Sequence, residues 1–409
     1  MTSRSGVAEA GTGSGPDPGT GPGLAGVLGE LEAGAARREA ATERPHEVVD
    51  RLRAAGFLTL RVPGEHGGQD ASLREVFGAL IDVARADSSV AQALRAHFAY
   101  VEGLRFTPDG PGRDGAYAAI AAGGVIGNAI TEPTGAAAGD FAALATTFVR
   151  TPEGWAITGT KFYSTGTLYA DRVWVWGVTD DGVPASALIP LDRPGITVVD
   201  DWDGFGQRAS GSGTTRFENT PATAEEVVVA GAEPPPRLAI GAFLQLWLTA
   251  VVAGNLEAVS HDAQALLRGR TRGITHGTSD LPRHDPVLLQ QAGDIASKAW
   301  TARAVVLDAA SLLDDVDARL HAGQFDGVAA QEAGRRVAEA KISVDRLALD
   351  AASALFEVGG ASATRTGANL DRHWRNIRTL ASHNSTRLKA RVIGDHLVNG
   401  TDLPDNTYF

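Results

Sequence analysis

The sequence predicts an α+β multidomain protein in which a helical amino-terminal part, a β-rich middle and a helical carboxy-terminal part follow one another. Three observations predict it. The chain has 409 residues, beyond the roughly 100–200 of one ordinary domain. Its apolar periodicity changes from helical spacing to short β-rich runs at residue 124, and back to helical spacing after Pro234-Pro235-Pro236. Apolar residues at 43% and charged residues at 21% lie near the globular average, enough to fill more than one core.

Residues 1–23 are rich in Gly, Pro, Ser and Thr with no periodicity, so they read as a disordered tail. Residues 24–123 read as an α-helical domain, with apolar spacings of three and four over 45–55, 71–86 and 88–105. Asp87, Ser88 and Ser89 are candidate caps for the last of these. Residues 124–236 carry β-rich runs at 142–150, 155–158, 172–178 and 214–217, broken by Pro152-Glu153-Gly154 and Asp180-Asp181-Gly182, and read as an antiparallel β domain. Residues 237–409 carry long helical segments at 238–268, 286–320, 327–358 and 386–398, whose natural outcome is a helical bundle.

Several function classes are excluded. A net charge of −12 leaves no basic footprint for phosphates, so no nucleic acid partner is expected. With no Cys, there is no disulfide, thiolate metal site, thiol nucleophile or iron–sulfur cluster. No run of about 18 uninterrupted apolar residues and no apolar leader is present, so a cytoplasmic protein without a membrane partner is expected. The glycines of the tail neither follow a strand nor open a helix, and the GxGxxA match at Gly204 to Ala209 continues into a turn and strand, so no dinucleotide fingerprint exists. The ten His residues are scattered and no metal site is expected.

Three segments carry chemistry: Thr131-Glu132-Pro133-Thr134-Gly135-Ala136; Gly159-Thr160-Lys161-Phe162-Tyr163-Ser164-Thr165-Gly166; and Asp201-Trp202-Asp203-Gly204-Phe205-Gly206-Gln207-Arg208-Ala209-Ser210-Gly211-Ser212-Gly213. Hydroxyls at Thr131, Ser164 and Thr165 suit the polar edge of a flat ring, and Tyr163 and Trp202 offer flat apolar faces. His97 falls within the apolar helical stripe of Val90, Leu94, Val101 and Leu104. The bland account of such a His is that backbone groups satisfy its nitrogens.

With these motifs in that order and at similar spacing, the chain resembles the acyl-CoA dehydrogenase superfamily from Leu24 to its end. The resemblance implies a helical domain, a β domain, a four-helix bundle and a homodimer or homotetramer. Many acyl-CoA dehydrogenases place a catalytic Glu where this chain has Leu380-Ala381-Ser382-His383-Asn384-Ser385-Thr386, which holds no carboxylate. That stretch, with Asp371-Arg372-His373-Trp374-Arg375-Asn376-Ile377-Arg378-Thr379, the Asp201 to Gly204 turn and Tyr163 to Gly166, is similar to the flavin-dependent monooxygenase branch, the branch of dibenzothiophene-oxidising enzymes and biosynthetic hydroxylases. Many of those enzymes have a second His where this chain has Leu380.

The resemblance implies roles residue by residue. Asn128 and Ser164 are expected beside flavin N5, and His97 and His383 as catalytic proton carriers. Thr131, Tyr163, Ser164 and Thr165 are expected to hold the flavin, with Arg272, from a neighbouring subunit, on its phosphate and Gly359, Gly360 and Arg375 in another cofactor-contact region. Phe98, Tyr100 and Trp202 are expected to line the substrate pocket. The implied activity is that of a two-component monooxygenase. Reduced flavin, FADH2 or FMNH2, arrives by diffusion from a separate NAD(P)H-dependent reductase and adds O2 to give a C4a-hydroperoxyflavin. The oxygen is then delivered to a small apolar aromatic or heteroaromatic substrate such as an indole-containing metabolite or a thioaromatic. Carbon hydroxylation is favoured, with sulfur and nitrogen oxidation open. An acyl-CoA dehydrogenase-type oxidoreductase and a non-enzymatic flavin-binding scaffold are the alternatives.

Overall fold

The structure is a computed structural model that describes residues 22–132, 143–230, 237–273 and 277–409. The expected tail (save residues 22 and 23), the Pro234-Pro235-Pro236 run and Pro133 to Ala136 of the first motif lie outside the described residues. Helix α1 (Pro22–Ala41) begins where the tail was expected to be ending, and is followed by α2 (His46–Ala54) and α3 (Leu73–Ala86). A capping box sets the start of α3: the Ser72 side chain accepts from Glu75 N–H while the Glu75 carboxylate accepts from Ser72 N–H. The helix expected over 88–105 is two helices, α4 (Ser88–Ala93) and α5 (Arg95–Arg105), separated at Leu94. Asp87 caps α4 by accepting from Ser89 and Val90 N–H. Helix α6 (Pro111–Ala121) leads into the sheet.

The strands are β1 (Ile126–Ala129), β2 (Thr147–Thr151), β3 (Gly154–Lys161), β4 (Arg172–Thr179), β5 (Pro184–Pro190), β6 (Ile196–Val199), β7 (Thr214–Ala222) and β8 (Val227–Val229). They form one sheet in the order β6-β7-β3-β2-β4-β5-β8, with β1 added against β4. Most pairs are antiparallel as expected, but β1–β4 and β2–β4 are parallel. Both parallel pairs join strands separated by long connections, which hairpins cannot produce. The alternation of β4 divides its faces. Val173 and Val175 pack in the β core with Phe148, Ile157 and Ile189, while Arg172, Trp174 and Trp176 project half-buried on the other face.

Beyond the sheet lie α7 (Arg237–Gly269), α8 (Pro286–His321), α9 (Gly327–Gly359), α10 (Asp371–Ala381) and α11 (Thr386–Asn399). Helix α7 passes through the middle of the molecule, with Leu246, Trp247, Val251, Val252 and Leu256 inaccessible to solvent. By length and a mean hydropathy of 1.4, its stretch Ile240–Gly269 is apolar enough to cross a membrane, but 83% of that window is buried within the fold. A helix apolar all round is the requirement for a core position. Apolar residues of α1, α3 and α4 share one continuous core with α7, α8 and α9, so the two helical parts of the chain, far apart in sequence, are packed as one body.

Candidate active site

The site is built where the 162–167 turn after β3 meets β1, the start of α5 and the 201–213 segment. Tyr163 holds a left-handed backbone at φ 52°, and Gly166 does so at φ 81°. A Cβ on Gly166 would lie 2.0 Å from the Ala93 carbonyl oxygen, so only glycine lets the turn seat against the end of α4. Thr167 locks the turn to β1, its hydroxyl donating to Asn128 O at 2.8 Å and accepting from Asn128 N–H at 2.9 Å. The 201–213 segment covers the turn. Ser164 N–H donates to Gly213 O at 2.9 Å, Gly166 N–H donates to Ser210 O at 3.1 Å, and the hydroxyls of Thr165, Ser212 and Ser210 form a chain at 2.9 and 2.7 Å.

This framework leaves specific polar atoms unused. Ser164 Oγ and Asn128 Oδ1 are buried and have no hydrogen-bond partner among the described residues, although Asn128 Nδ2 donates to Tyr163 O at 3.3 Å. Tyr163 is 58% exposed, and its ring meets Trp202 edge-on with centroids 6.0 Å apart. Unpaired buried acceptors and hydroxyls are rare because each costs about 1–3 kcal/mol, so they mark a place for a ligand with matching donors and acceptors. A flat heteroaromatic ring with a polar edge, such as a flavin, fits that donor set. Thr131, half-buried, supplies a backbone carbonyl to Phe162 N–H at 2.8 Å.

The sequence motifs also hold a buried ion pair to which the sequence reading gave no role. Lys161 Nζ lies 2.6 Å from Glu132 Oε1, and the same carboxylate accepts from Thr146 N–H and Thr146 Oγ1 at 2.8 and 2.6 Å. Burial pulls Lys161 down to about 8, opposed by the Glu132 carboxylate; for Glu132 burial acts upward but the Lys161 and Thr146 hydrogen bonds hold it below the usual range. The pair ties β1 and its extension to β3, and so sets the spacing between Asn128 and Ser164.

His383 lies at the α10–α11 junction, within reach of the charge of Arg95 at the start of α5. Its ring is parallel to that of Tyr408, with centroids 6.2 Å apart. Asn384 Nδ2 donates to Tyr408 O at 3.1 Å, which turns the Asn384 amide oxygen towards His383 and places the ring proton on Nδ1. Nε2 has no protein partner among the described residues. The residue is exposed to solvent, although neighbouring side chains crowd the imidazole. That enclosure, together with the charge of Arg95, holds it down to about 4, and it is neutral at pH 7.

His97 behaves differently. It is fully buried, its Nε2 donates to Leu58 O at 2.8 Å and its Nδ1 accepts from Ile126 N–H at 3.3 Å. Both nitrogens are occupied by backbone, and burial pulls the ring down to about 4, so the expected catalytic role is corrected to a structural one that docks α5 on β1. Residues 95 and 97 point about 200° apart on a helix, and it is Arg95 whose charge reaches His383. Phe98 is also corrected. It is buried in the helical core against Phe57 and Trp247, with centroids 5.2 and 4.9 Å apart, and lines no cleft.

Tyr100 lies at the seam between α5 and the sheet, 5.3 Å between ring centroids from Trp174, which in turn meets Trp176 at 5.3 Å. Trp174 pairs in register with Asn128, so the two side chains share one face of the sheet. This aromatic wall escaped the sequence reading, although the alternate tryptophans in the 172–178 run were its signal.

Arg375 is fully engaged, with ion pairs to Glu39 and Asp371 and hydrogen bonds to Phe205 O at 2.9 Å and Asn369 Oδ1 at 3.0 Å. No guanidinium nitrogen is left for a cofactor, and its role is corrected to joining α10 to α1 and to the 201–213 segment. Gly206 makes that join close: a Cβ there would sit 2.2 Å from Arg375 O. Gly359 and Gly360 end α9, where Arg270, rather than Arg272, reaches them by donating to Val358 O at 2.5 Å. Arg272 is exposed.

Comparison with known proteins bears on the family and the fold. The family models for the acyl-CoA dehydrogenase N-terminal, middle and C-terminal domains match residues 27–106, 127–220 and 246–388. Dibenzothiophene monooxygenase of Rhodococcus erythropolis is 29% identical over 377 residues, 85% of this chain and 86% of that protein. The probable FMNH2-dependent monooxygenase SfnC of Pseudomonas putida is 27% identical over 383 residues, 91% of this chain and 93% of that protein. TdsC of Paenibacillus sp. A11-2, solved with FMN, superposes with a TM-score of 0.86 at 26% identity, covering 94% of this chain and 98% of TdsC; it was also solved with FMN and indole, at 25% identity. The chain belongs to the acyl-CoA dehydrogenase family, as a flavin-dependent monooxygenase of that fold.

Proposed function

We propose that this monooxygenase hydroxylates carbon on a small, flat aromatic or heteroaromatic substrate of indole-like size, using FMNH2 or FADH2 handed over by a separate NAD(P)H-dependent reductase. The observation that carries the reading is the pair of buried, unpartnered atoms, Ser164 Oγ and Asn128 Oδ1, beside the exposed Tyr163 face. When bound there, reduced flavin supplies the activation of O2.

The chain's own residues do the rest. Asn128 and Ser164 orient the ring edge, with Thr131 and Thr165 beside them and Tyr163 against the ring face. Tyr100, Trp174 and Trp176 bring apolar surface to one face of the sheet and Trp202 brings it beside Tyr163, excluding water and receiving a flat substrate. His383 holds a proton at Nδ1 and presents Nε2 as an acceptor, which suits a proton carrier at the reacting oxygen. In this reading Arg272 contacts the cofactor phosphate of a neighbouring subunit near Gly359 and Gly360. Association as a homodimer or homotetramer is supported by Leu289 and Trp300, which lie on one face of α8 three turns apart and are 50% and 74% exposed.

The test mixes purified protein with enzymatically reduced FMN, air and indole. Oxygenated product is expected from the wild type. His383→Ala should lower product formation by about 10²–10⁴ and release hydrogen peroxide instead, with FMN affinity within twofold. Bleaching of bound oxidised flavin by an acyl-CoA, with no oxygenated product, would overturn the reading in favour of a dehydrogenase.

A further inference from the structure

Arg95 is an exception among the enclosed arginines. Arg38 pairs with Asp87, Arg61 with Glu102 and Asp317, Arg105 with Asp70 and Asp317, and Arg375 with Glu39 and Asp371. Arg95 has no carboxylate partner among the described residues. Its Nη2 donates to Leu244 O at 3.2 Å, and its buried Nε has no partner among the described residues. A guanidinium has five donors in a fixed fork, and taking it out of water without an anion is costly enough that burial pulls Arg95 down to about 10.

The surroundings place that cation between the turn that carries Ser164 and the segment that carries Tyr408. Two residues earlier, the Ala93 carbonyl touches the turn that carries Ser164. On its other side the next residue of α7, Gln245, donates to Thr407 O at 2.7 Å, which brings Tyr408 and the His383 ring stacked on it to the same place. The remaining nearby cations do not relieve the excess of positive charge. Lys341 is paired with Asp345 at 2.8 Å, and Lys389 donates to the Tyr408 and Phe409 carbonyl oxygens at 2.7 Å each.

We propose that Arg95 is an anion-binding subsite, so that the substrate oxygenated here carries a carboxylate on its aromatic body. The inference rests on the monooxygenase reading above and narrows its substrate class. The carboxylate accepts from Arg95 Nε and its neighbouring Nη in bidentate fashion, while the aromatic body extends towards Trp202 and the Asn128–Ser164 edge. The flat ring then meets the apolar wall, and the acid gives Arg95 Nε the acceptor, and the guanidinium the anion, that it lacks among the described residues.

The test is a binding measurement that needs no turnover. Calorimetric titration of the FMN-loaded protein compares indole-3-acetate with 3-methylindole, 4-hydroxyphenylacetate with 4-methylphenol, and benzothiophene-2-carboxylate with benzothiophene. A charge-assisted hydrogen bond of the usual strength predicts that at least one acid binds about tenfold to a hundredfold more tightly than its neutral counterpart. Arg95→Gln should reduce that ratio to within twofold of unity, and Arg95→Lys should retain part of it, with the affinities of the neutral compounds and of FMN unchanged.

The proposal is overturned if no acid is preferred by the wild type, if Arg95→Gln keeps the preference, or if the loss falls on FMN affinity instead. Should Arg95→Gln fail to fold, the wild-type ratios and the Lys variant decide. Acid preference without oxygenated product would sink the monooxygenase reading and leave the subsite standing. Oxygenation of neutral compounds without acid preference would do the reverse.

Discussion

The cleft wall and the ion-pair girdle behind it treat polar groups in opposite ways. On the wall, Ser164 Oγ, Asn128 Oδ1 and Arg95 Nε are enclosed and unused among the described residues, which also leave His383 Nε2 without a partner. In the girdle, joining α1, α3, α7 and α10, Glu39 takes Arg375 and Asn369, Arg38 takes Asp87, and His373 sits 2.8 Å from both Asn255 and Asp262. The girdle also lines a polar recess of about 80 Å³ among Glu32, Arg85, Asp87, Arg372 and His373. A buried charge that is fully matched holds elements together, whereas a buried polar atom left unmatched is stable only as a provision for something that arrives later. The two kinds of residue are alike in sequence and are told apart by their spare hydrogen-bonding capacity.

The largest expected effect breaks the girdle. Glu39→Gln leaves Arg375 with half its compensation at a site where Glu39 is nearly inaccessible, and removing one partner of a buried pair should cost about 3 kcal/mol of folding stability in urea denaturation. FMN affinity should stay within twofold. A fall in affinity as large as the fall in stability would show that girdle and wall are not separate in function.

His97 and His383 give the same contrast within one residue type, and pH sharpens it. The folded His97 is held at about 4 by burial, below the ordinary value of 6.5, so protonation favours the unfolded chain. Its stabilising contribution is complete above pH 6.5 and is lost progressively as pH falls from there towards 4. Between pH 7.5 and 5 the loss should be about 2 kcal/mol. His97→Gln, whose amide can donate to Leu58 O and accept from Ile126 N–H, should lack that component and keep its oxygenated yield. If wild type and variant lose stability in parallel, the backbone-locked neutral ring is wrong.

Much of this architecture was legible in the sequence because periodicity and caps report local structure. The long helices α7, α8 and α9 agree with the expected segments to within a residue or two, and Asp87 caps α4. The parallel pairings of β4 were not legible, since register between distant strands leaves no local trace. In the site, the order of motifs located the turn and the segment that covers it. It did not separate His97 and Phe98, which face the core, from Arg95 on the same helix. An apolar stripe gives the direction of a side chain only when its partners are known, and those partners, Leu58, Ile126 and Trp247, lie far away in the chain. Arg375 was misread because a cofactor-contact motif and an ion-pair anchor use the same residue type; its partner Glu39 stands in another helix.

The smallest effect is the most discriminating, because its two readouts should move in opposite directions. Ser164 is 1% exposed and its hydroxyl has no partner among the described residues, so in the protein without flavin Ser164→Ala removes a desolvated group that gives nothing back. Stability in urea should be unchanged or rise by up to about 1 kcal/mol. With flavin present, the hydroxyl completes its hydrogen bonding on the ring edge, and its removal should weaken FMN binding about fivefold, the usual net worth of one such bond. A hydroxyl with only a structural role would lower stability and leave affinity alone. A loss of both would mean that Ser164 belongs with the girdle, and the division drawn between the two regions would have to be redrawn through the 162–167 turn itself.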